Sequence, residues 1–327
     1  MSAQPPSSVS PLPSPSRLTV LAFAIPFTLV WASAFAATKF ALLDSSPLLF
    51  LAMRFFCAGA LLLAWSHYRG ERIRPNGREL ASLLLIAACN HALYLGVSWS
   101  AMREVSAGLA TIVIGAAPIV VALLAVPLLR ERLTGRKLAG LLLGFAGMAF
   151  IVRHRLGGPL DSWHGTLMLL LALVLISLGT VLYKRLRIGV GSTANIALQL
   201  LLASAIMLPW ALSVEQWSDV HLNLRFAASM LWSVAVVSIA GYTLWFALLR
   251  RTDASSASAW FFLTPPLGLI VGWAVLGEPL ALADFLGIVP VVIGIVLVTL
   301  APRAARPIAP SPPARLSTQR ACSADNR

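Results

Sequence analysis

Arg54 lies in the middle of an apolar run, SPLLFLAMRFFCAGALLLAWS, that extends from residue 46 to residue 66. At eight residues after Ser46, it would sit about 12 Å along a helix that rises about 1.5 Å per residue. A charged side chain at that depth in a bilayer costs about 2.5–3.5 kcal/mol on insertion scales, so it should face protein or a watery cavity. Two roles are open. Arg54 could anchor a carboxylate or another anionic group of a substrate, or it could bind helix-end carbonyls or Asn90 as a structural residue.

A second polar group lies in the segment CNHALYLGVSW, residues 89–99. Asn90, Tyr94 and Trp99 follow one another at steps of four and five residues and would share one stripe of a helix. Asn90 and His91 fall near the middle of a predicted membrane span, where polar side chains face a cavity or pair across helices. A neutral His91 that is hydrogen-bonded to another helix is the simpler interpretation. If His91 titrates, it is the best candidate for intramembrane proton coupling.

Several aromatic residues and serines fall deeper in the predicted spans than an interfacial aromatic belt would. A cavity lined by such side chains suits amphipathic or cationic molecules, through stacking and cation–π contact. The candidate substrate-cavity residues are Trp31, Ser33, Arg54, Asn90, His91, Tyr94, Tyr242, Trp245 and Trp260.

No motif of an enzyme accompanies these residues. The patterns HExxH, CxxC and GxxxxGK[ST] do not occur, and none of the twelve acidic residues falls deep in a predicted span. We therefore predict no catalytic residue, no metal site and no cofactor. A membrane-embedded enzyme and a receptor or scaffold stay as alternatives from other functional classes.

Composition indicates a membrane protein. The chain is 58% hydrophobic and 11% charged, with a mean hydropathy of +0.84, whereas soluble domains carry about 25% charged residues. Apolar stretches of about 20 residues, the length that spans a bilayer, recur along the whole chain. The net charge of +13 comes from basic clusters between these stretches. Such clusters are typical of membrane orientation signals, so no nucleic-acid partner is predicted. The expected fold is an all-α polytopic membrane protein.

Ten transmembrane helices are predicted, at roughly 18–38, 46–66, 80–101, 105–129, 137–152, 165–183, 193–213, 226–249, 254–276 and 281–301. With the N-terminus inside, the inner segments hold 19 Lys and Arg residues and the outer loops hold 5. Because Lys and Arg concentrate in cytoplasmic segments, both termini are predicted to be cytoplasmic. The tails at 1–16 and 302–327 are rich in Pro, Ser, Ala or Arg, and the second is basic; both are expected to be disordered.

The chain contains an internal repeat, because residues 103–152 match residues 250–299 at a constant offset of 147. The copies are five spans apart, and five is odd, so the two halves cross the membrane in opposite senses. Such inverted repeats are typical of secondary transporters, whose binding site lies between the halves near the midplane. We expect the two five-helix repeats at 17–153 and 164–301.

The repeat pairs two prolines and two glutamates. Pro118 and Pro265 each remove an amide donor inside a helix, so they are candidate bending points or plain packing kinks. Glu131 and Glu278 lie in equivalent turns. Each could cap the N-terminus of the helix that follows it, or form part of a gate.

Four segments resemble motifs of the EamA-type drug/metabolite transporter superfamily, the ten-helix inner-membrane carriers built from two five-helix repeats. The segments are LVWASAFAATKFAL (29–42), SPLLFLAMRFF (46–56) and two helix pairs, 106–152 and 253–298, each with a Pro, a Glu thirteen residues later and glycines beyond. The resemblance covers about residues 18–300. Because the family pattern carries the arginine whatever the substrate, a structural role for Arg54 is favoured.

The resemblance and the inverted repeat together predict a secondary transporter. It would export small metabolites, amino-acid-like or amphipathic compounds across the cytoplasmic (inner) membrane by alternating access. Its expected partners are a small-molecule substrate and membrane lipids, and a homodimer is left open. Uptake or exchange by the same fold is the first alternative.

Overall fold

The computed structural model describes residues 17–101, 104–105, 107–153, 162–186, 188–276 and 282–299. Throughout these ranges the regular structure is helical. The helices are α1 (Arg17–Ala41), α2 (Pro47–Tyr68), α3 (Gly77–Ala101), α4 (Ala107–Gly115 and Ala117–Leu129), α5 (Gly135–Val152), α6 (Trp163–Arg185), α7 (Ser192–Val214), α8 (Leu224–Arg251), α9 (Ala254–Val275) and α10 (Leu282–Thr299).

The lengths of the helices match a bilayer. Eight of them are long and apolar enough to cross a membrane, and α10 contains a shorter apolar helix, Leu286–Thr299. Helices α5 and α10 have 18 residues each, which gives about 27 Å at about 1.5 Å per residue. They occupy equivalent places in the two repeats and pack along each other. The prediction of an all-α polytopic membrane protein is confirmed.

The connections between helices alternate between two ends of the bundle. We call the end at which α1 begins the near end; it carries residues 69–76, 130–134, 188–191 and 252–253. The opposite end, the far end, carries residues 42–46, 104–105 and 215–223. A loop residue at one end of the bundle can therefore contact only those helices that begin or finish at the same end.

Two carboxylates join α2 and α7 reciprocally. Glu71 follows α2 and accepts hydrogen bonds at the near end from the backbone N–H groups of residues 193 and 194, at 3.0 and 3.1 Å. Glu215 follows α7 and accepts at the far end from the backbone N–H groups of residues 48 and 49, at 3.1 and 2.8 Å. Each carboxylate therefore satisfies the first N–H groups of a helix in the other repeat. The two caps are related by the pseudo-two-fold symmetry of the repeats.

Glycines bring α5 and α10 into close contact. A Cβ atom added at Gly140 would lie 2.7 Å from the carbonyl oxygen of Gly294, and one at Gly147 would lie 2.8 Å from that of Gly287. Gly140 and Gly287 are equivalent in the repeat, as are Gly147 and Gly294, so the two contacts are symmetry-related. Small residues at such crossings let backbones approach closely in membranes.

The helices interrupted in one repeat are interrupted at the same place in the other. A π-helical segment lies in α3 at Ala88–Ala92 and in α8 at Ser233–Gly241. Helix α4 breaks at Ala116, and α9 contains a 3-10 segment at Ala259–Leu263. These breaks put Pro118 and Pro265 in the first turn of the helical segments that follow, where a missing amide donor is tolerated.

Helices α4 and α9 contact each other in the near-end half of the bundle. Residues 117–129 of α4 contact Ala254–Ser258 of α9. The far-end segment of α4, Ala107–Gly115, packs on α6 and α5, whereas Thr264–Leu276 of α9 packs mainly on α1 and also contacts α5. The described contacts between α4 and α9 are therefore concentrated toward the near end.

Replacing Gly147 by Ala should separate α5 from α10, because the new methyl group would overlap the Gly287 carbonyl. We expect a loss of about 1–3 kcal/mol in the free energy of unfolding, the range for overpacked sites. Thermal unfolding of the detergent-solubilised protein measures it. Gly135→Ala is the matched control, because no atom lies within 4 Å of a Cβ there. An unchanged melting temperature for Gly147→Ala would contradict the close crossing.

Removing the Glu71 cap by Glu71→Ala should lower the free energy of unfolding by about 1–3 kcal/mol, since buried N–H groups lose a charged acceptor. Burial raises the pKa of Glu71, but hydrogen bonds from Ala194, Thr193 and Ser66 outweigh burial, and that pKa lies below its ordinary value. The stabilisation is therefore present at neutral pH and is lost as pH falls through the lowered pKa. Melting temperatures from pH 7 to pH 3 should fall less in Glu71→Ala than in the wild type. The exposed Asp219, changed to Ala, serves as the control.

Candidate functional site

Arg54 is buried between α2 and α8. Its side chain is 5% exposed, and its Nε donates a hydrogen bond to Ser238 Oγ at 2.8 Å. The guanidinium carbon lies 5.6 Å from the ring centroid of Phe55. Over the ranges that the structure describes, no carboxylate forms an ion pair with it. The sequence predicts helix-end carbonyls or Asn90 as its partners, and the observed partner is the hydroxyl on the π-helical segment of α8.

Gln199 of α7 occupies the place that is equivalent to Arg54. The offset of 145 residues that relates the capped residues 48 and 49 to residues 193 and 194 also relates Arg54 to Gln199, and the offset of 147 relates His91 to Ser238. Gln199 lies beside His91, and its amide nitrogen donates to Asn195 Oδ1. The pair of Arg54 and Ser238 therefore has a counterpart in Gln199 and His91, across the same pseudo-two-fold axis.

His91 and Asn90 are buried on the π-helical segment of α3, at 1% and 4% exposure. Within the described part of the chain, neither ring nitrogen of His91 and neither amide atom of Asn90 has a hydrogen-bond partner. The His91 ring meets Tyr242 edge-on at 4.7 Å. Asn90 presses against Gly179 of α6, where an added Cβ would lie 2.4 Å from its Oδ1. Only a glycine accommodates Asn90 at this crossing.

Five aromatic rings form a cluster where α1, α8 and α9 meet. Phe27 lies 5.5 Å from Trp31, 5.2 Å from Trp245 and 5.3 Å from Phe261. Trp31 also contacts Tyr242 edge-on at 5.6 Å. Tyr242 and Trp245 are 3% and 4% exposed, so in this conformation they are core residues. The sequence analysis did not single out Phe27 and Phe261, because a buried Phe inside an apolar helix leaves no distinguishing pattern.

The remaining aromatic candidates lie apart from this cluster or at its edge. Trp260 is buried, and its Nε1 has no partner among the described residues. Tyr94 is half-buried on α3. Neither residue lines the cavity of about 340 Å³ between α1, α8 and α9.

A cavity of about 340 Å³ opens between α1, α8 and α9 in the far-end half of the bundle. Its lining includes Ser33, Phe40, Trp232 and Val271, and Trp232 Nε1 donates to Ser33 Oγ at 3.1 Å. The volume is in the range of small-molecule sites, about 300–1,000 Å³. Of the predicted cavity residues, Ser33 lies in this lining.

An ion pair borders this cavity at the far end. Arg225 donates to both carboxylate oxygens of Asp44 at 2.6 Å, and Asn223 donates to the same carboxylate. The hydrogen bond from Arg225 lowers the pKa of Asp44 to about 2, although burial opposes this shift. Asp44 is therefore ionised at every physiological pH, and the pair fixes the end of α1 to the start of α8.

Four residues close the near end, and we call them the near-end lock: Glu131, Lys137, Asp253 and Ser255. Glu131 accepts from the Ala254 N–H at 2.7 Å and from Ser255 Oγ at 2.8 Å. Lys137 Nζ donates to Asp253 Oδ2 at 3.1 Å and to Ser255 Oγ at 3.2 Å.

The lock corrects one expectation. The sequence left two roles open for Glu131, capping of the following helix, α5, or part of a gate; Thr134 caps α5, and Glu131 instead caps α9 in the other repeat. Lys184 of α6 reinforces this end by donating to the Thr252 carbonyl. Glu278, the repeat equivalent of Glu131, lies outside the described residues.

Comparison with known proteins gives a consistent result. The sequence model of the EamA-like transporter family matches residues 18–153 and again residues 163–300. The chain is 30% identical over 288 residues to the uncharacterized transporter YvbV of Bacillus subtilis (strain 168), covering 88% of this chain and 92% of that protein. It is 25% identical over 283 residues to the uncharacterized inner membrane transporter YedA of Escherichia coli (strain K12), covering 83% and 88%.

A solved crystal structure has the same fold. It superposes with a TM-score of 0.71 at 21% identity, over 87% of this chain and 99% of that one. At this identity the likeness concerns the fold alone.

Changing Ser238 to Ala should destabilise the protein by about 1.5–3 kcal/mol, because a buried guanidinium loses its hydrogen-bond acceptor. Arg54→Ala should reduce the amount of folded protein in the membrane. Fluorescence-detected size exclusion of a tagged protein measures both effects. The exposed Ser213, changed to Ala, is the control. A normal level of folded Arg54→Ala protein that transports nothing would contradict the structural role and favour substrate binding.

Proposed function

Because this chain belongs to the EamA-like transporter family, we propose that it is a secondary transporter that exports small metabolites, amino-acid-like or amphipathic compounds. The proposed mechanism is alternating access across the cytoplasmic membrane. The family assigns the coarser activity, membrane transport of small molecules, and points to a transporter rather than an enzyme. Export is the direction that the family resemblance implies. A relative named as an inner membrane transporter supports the membrane proposed here.

The near-end lock is the observation that carries the mechanism. It joins α4 and α5 of one repeat to α9 of the other through charged hydrogen bonds, while the far-end segments of α4 and α9 pack mainly on other helices. Two inverted repeats that are joined at one end can exchange shapes, so that the opposite end closes when this one opens. The asymmetry between the two ends supports alternating access.

The proposed orientation puts the near end in the cytoplasm. The near-end loops and the tails carry the excess of Lys and Arg, which favours this side. In that orientation the described conformation is closed to the cytoplasm, and the cavity beside Ser33 lies on the outer side. Pro118 and Pro265, at the interruptions of α4 and α9, are the proposed bending points.

The substrate pathway is proposed to run between α4 and α9 toward the half-buried faces of α1 and α3. Trp31 and Tyr94, both half-buried, supply stacking surfaces for amphipathic or cationic compounds. Tyr242, Trp245 and Trp260 are buried in this conformation. They would reach a substrate only after α8 or α9 moves.

Counterflow in proteoliposomes tests transport itself. Purified protein is reconstituted into vesicles preloaded with one compound of a panel of neutral amino acids, amphipathic amines and lipophilic cations. The panel is then screened with radiolabelled external compound. Accumulation of at least one compound that exceeds that of protein-free vesicles is expected. No counterflow across the panel by folded protein would overturn the proposal.

Topology is tested independently with reporter fusions after Glu131 and Glu278. The proposed inverted repeats require the two fusions to report opposite sides of the membrane, with Glu131 cytoplasmic. Both reporters on one side would overturn the inverted arrangement and the transport mechanism with it.

Weakening the lock by Glu131→Gln should open the near end. Losing a charged hydrogen bond of about 1.5–3 kcal/mol would raise the open population about tenfold or more. The readout is the rate at which an impermeant maleimide labels Ala125→Cys, a buried position in the near-end half of α4, with the native cysteines replaced. Arg132→Gln, an exposed charge in the same turn, is the control. Equal labelling rates in Glu131→Gln and the parent would contradict the gate.

A further inference from the structure

We propose that His91 is the proton-binding group that couples this transporter to a proton gradient, an inference that rests on the proposed transport function. The exchange would take one proton from the outer water onto an imidazole nitrogen and release it to the cytoplasm as substrate moves out. The site is the buried pair of His91 on α3 and Gln199 on α7, where the two repeats meet.

Elimination points first to His91. Over the described ranges the carboxylates lie at helix ends or in loops: Asp44, Glu71, Glu79, Glu104, Glu131, Glu215, Asp219, Asp253 and Asp284, the last in the first turn of α10. The ionisable groups inside the bundle are Arg54, Cys89, His91, Tyr94, Tyr183 and Tyr242. Histidine is the side chain whose unperturbed charge change falls between about pH 5 and pH 8. Among these inner groups, His91 is therefore the one suited to carry a proton at physiological pH.

The geometry of His91 is the second observation. Its ring is 1% exposed and lies beside the Gln199 side chain, but neither nitrogen makes a hydrogen bond of normal geometry in the described part of the structure. Buried polar atoms are nearly always paired, so each exception calls for an explanation such as a missing proton, water or ion. The Gln199 Oε1 atom, on the facing helix, is also buried and unpartnered there. A protonated His91 ring has two N–H donors instead of one. The Gln199 Oε1 atom beside it could accept a hydrogen bond from the added N–H.

The π-helical segment gives this group a way to move. His91 lies on Ala88–Ala92 of α3, and its repeat equivalent, Ser238, lies on the π-helical segment of α8. Such segments interrupt the regular helix ladder and occur frequently at functional sites. Both are located where the repeats meet. A shift of one repeat against the other would therefore change the surroundings of His91.

The charges around His91 set the direction of coupling. Arg54 faces it from α2, Tyr242 and Phe246 from α8, and Gln199 from α7; Cys89 and Tyr94 lie on its own helix, and Tyr183 of α6 stacks beyond Phe246. Of these groups only Arg54 is charged. A second cation beside it is unfavourable in this dry, closed conformation. His91 is neutral here and takes up its proton when the bundle rearranges and water reaches the segment, so that protonation selects between the two conformations.

The first test uses the proton as the only ligand. Protein labelled with 15N at histidine is titrated from pH 8 to pH 5 in lipid nanodiscs, and the His91 resonance is assigned by its absence in His91→Gln. In parallel, maleimide labelling of the Ala125→Cys reporter is followed over the same pH range. The His91 resonance should titrate in this range, and labelling should change with it in the parent but not in His91→Gln. A His91 resonance that does not titrate, or pH-dependent labelling that persists in His91→Gln, would overturn the proposal.

The second test separates coupling from transport. Both assays use the panel compound that the wild type exchanges. Counterflow requires no net movement of protons. Net uptake into acid-loaded vesicles does require protons to leave the vesicle. We expect an outward proton gradient of one pH unit to raise wild-type accumulation by up to about tenfold for one-to-one exchange. In His91→Gln the gradient should give no rise above the counterflow level of that variant itself, and His67→Gln, at an exposed histidine at the end of α2, should keep both counterflow and the rise.

The outcomes are distinguishable. Absence of counterflow in the wild type would contradict the proposed function, while the titration still tests the proton site. Wild-type counterflow without any response to the gradient, or a response retained by His91→Gln, would overturn the assignment of His91. If His91→Gln does not fold, His91→Asn replaces it in both assays.

Discussion

Helix N-termini that start inside a packed membrane bundle expose N–H groups that lipid cannot satisfy, and this protein satisfies three of them with carboxylates from the opposite repeat. Glu71 caps α7, Glu215 caps α2, and Glu131 caps α9. Each cap therefore satisfies a helix terminus and also attaches one repeat to the other. The arrangement of the rest of the bundle follows from where these attachments lie.

Pairs of helices differ in how many of their ends are joined by caps or close crossings. Helices α2 and α7 are capped at both ends of their shared interface, and α5 and α10 are held at a backbone crossing that only glycines permit. Helices α4 and α9 are joined by Glu131 at the near end, and the interruption in each of them ends two residues before a proline. A pair that is tied at one end and interrupted in its middle can change shape without unpacking the pairs that are tied at both ends.

The polar cluster near the midplane is tolerated because it is shared between the repeats. Arg54 with Ser238, and Gln199 with His91, are the same arrangement seen from opposite sides of the membrane. Unpaired polar atoms in such a place lower the stability of the folded protein. Apolar side chains at these positions would avoid that cost. Their presence beside two π-helical segments fits a group whose partners change during a transport cycle.

The sequence by itself determined what depends on local pattern. Apolar runs of bilayer length fixed the helices, the 147-residue offset fixed the repeat, and the paired glycines and prolines marked the close crossing and the interruptions, because each of these is a property of neighbouring residues. Tertiary structure alone decided the partners. Glu131 caps α9 and not α5, Arg54 binds Ser238, Glu71 and Glu215 act as reciprocal caps, and Phe27 and Phe261 complete the aromatic cluster. Periodicity shows which face a residue occupies, but only the crossing of distant helices determines which group that face meets.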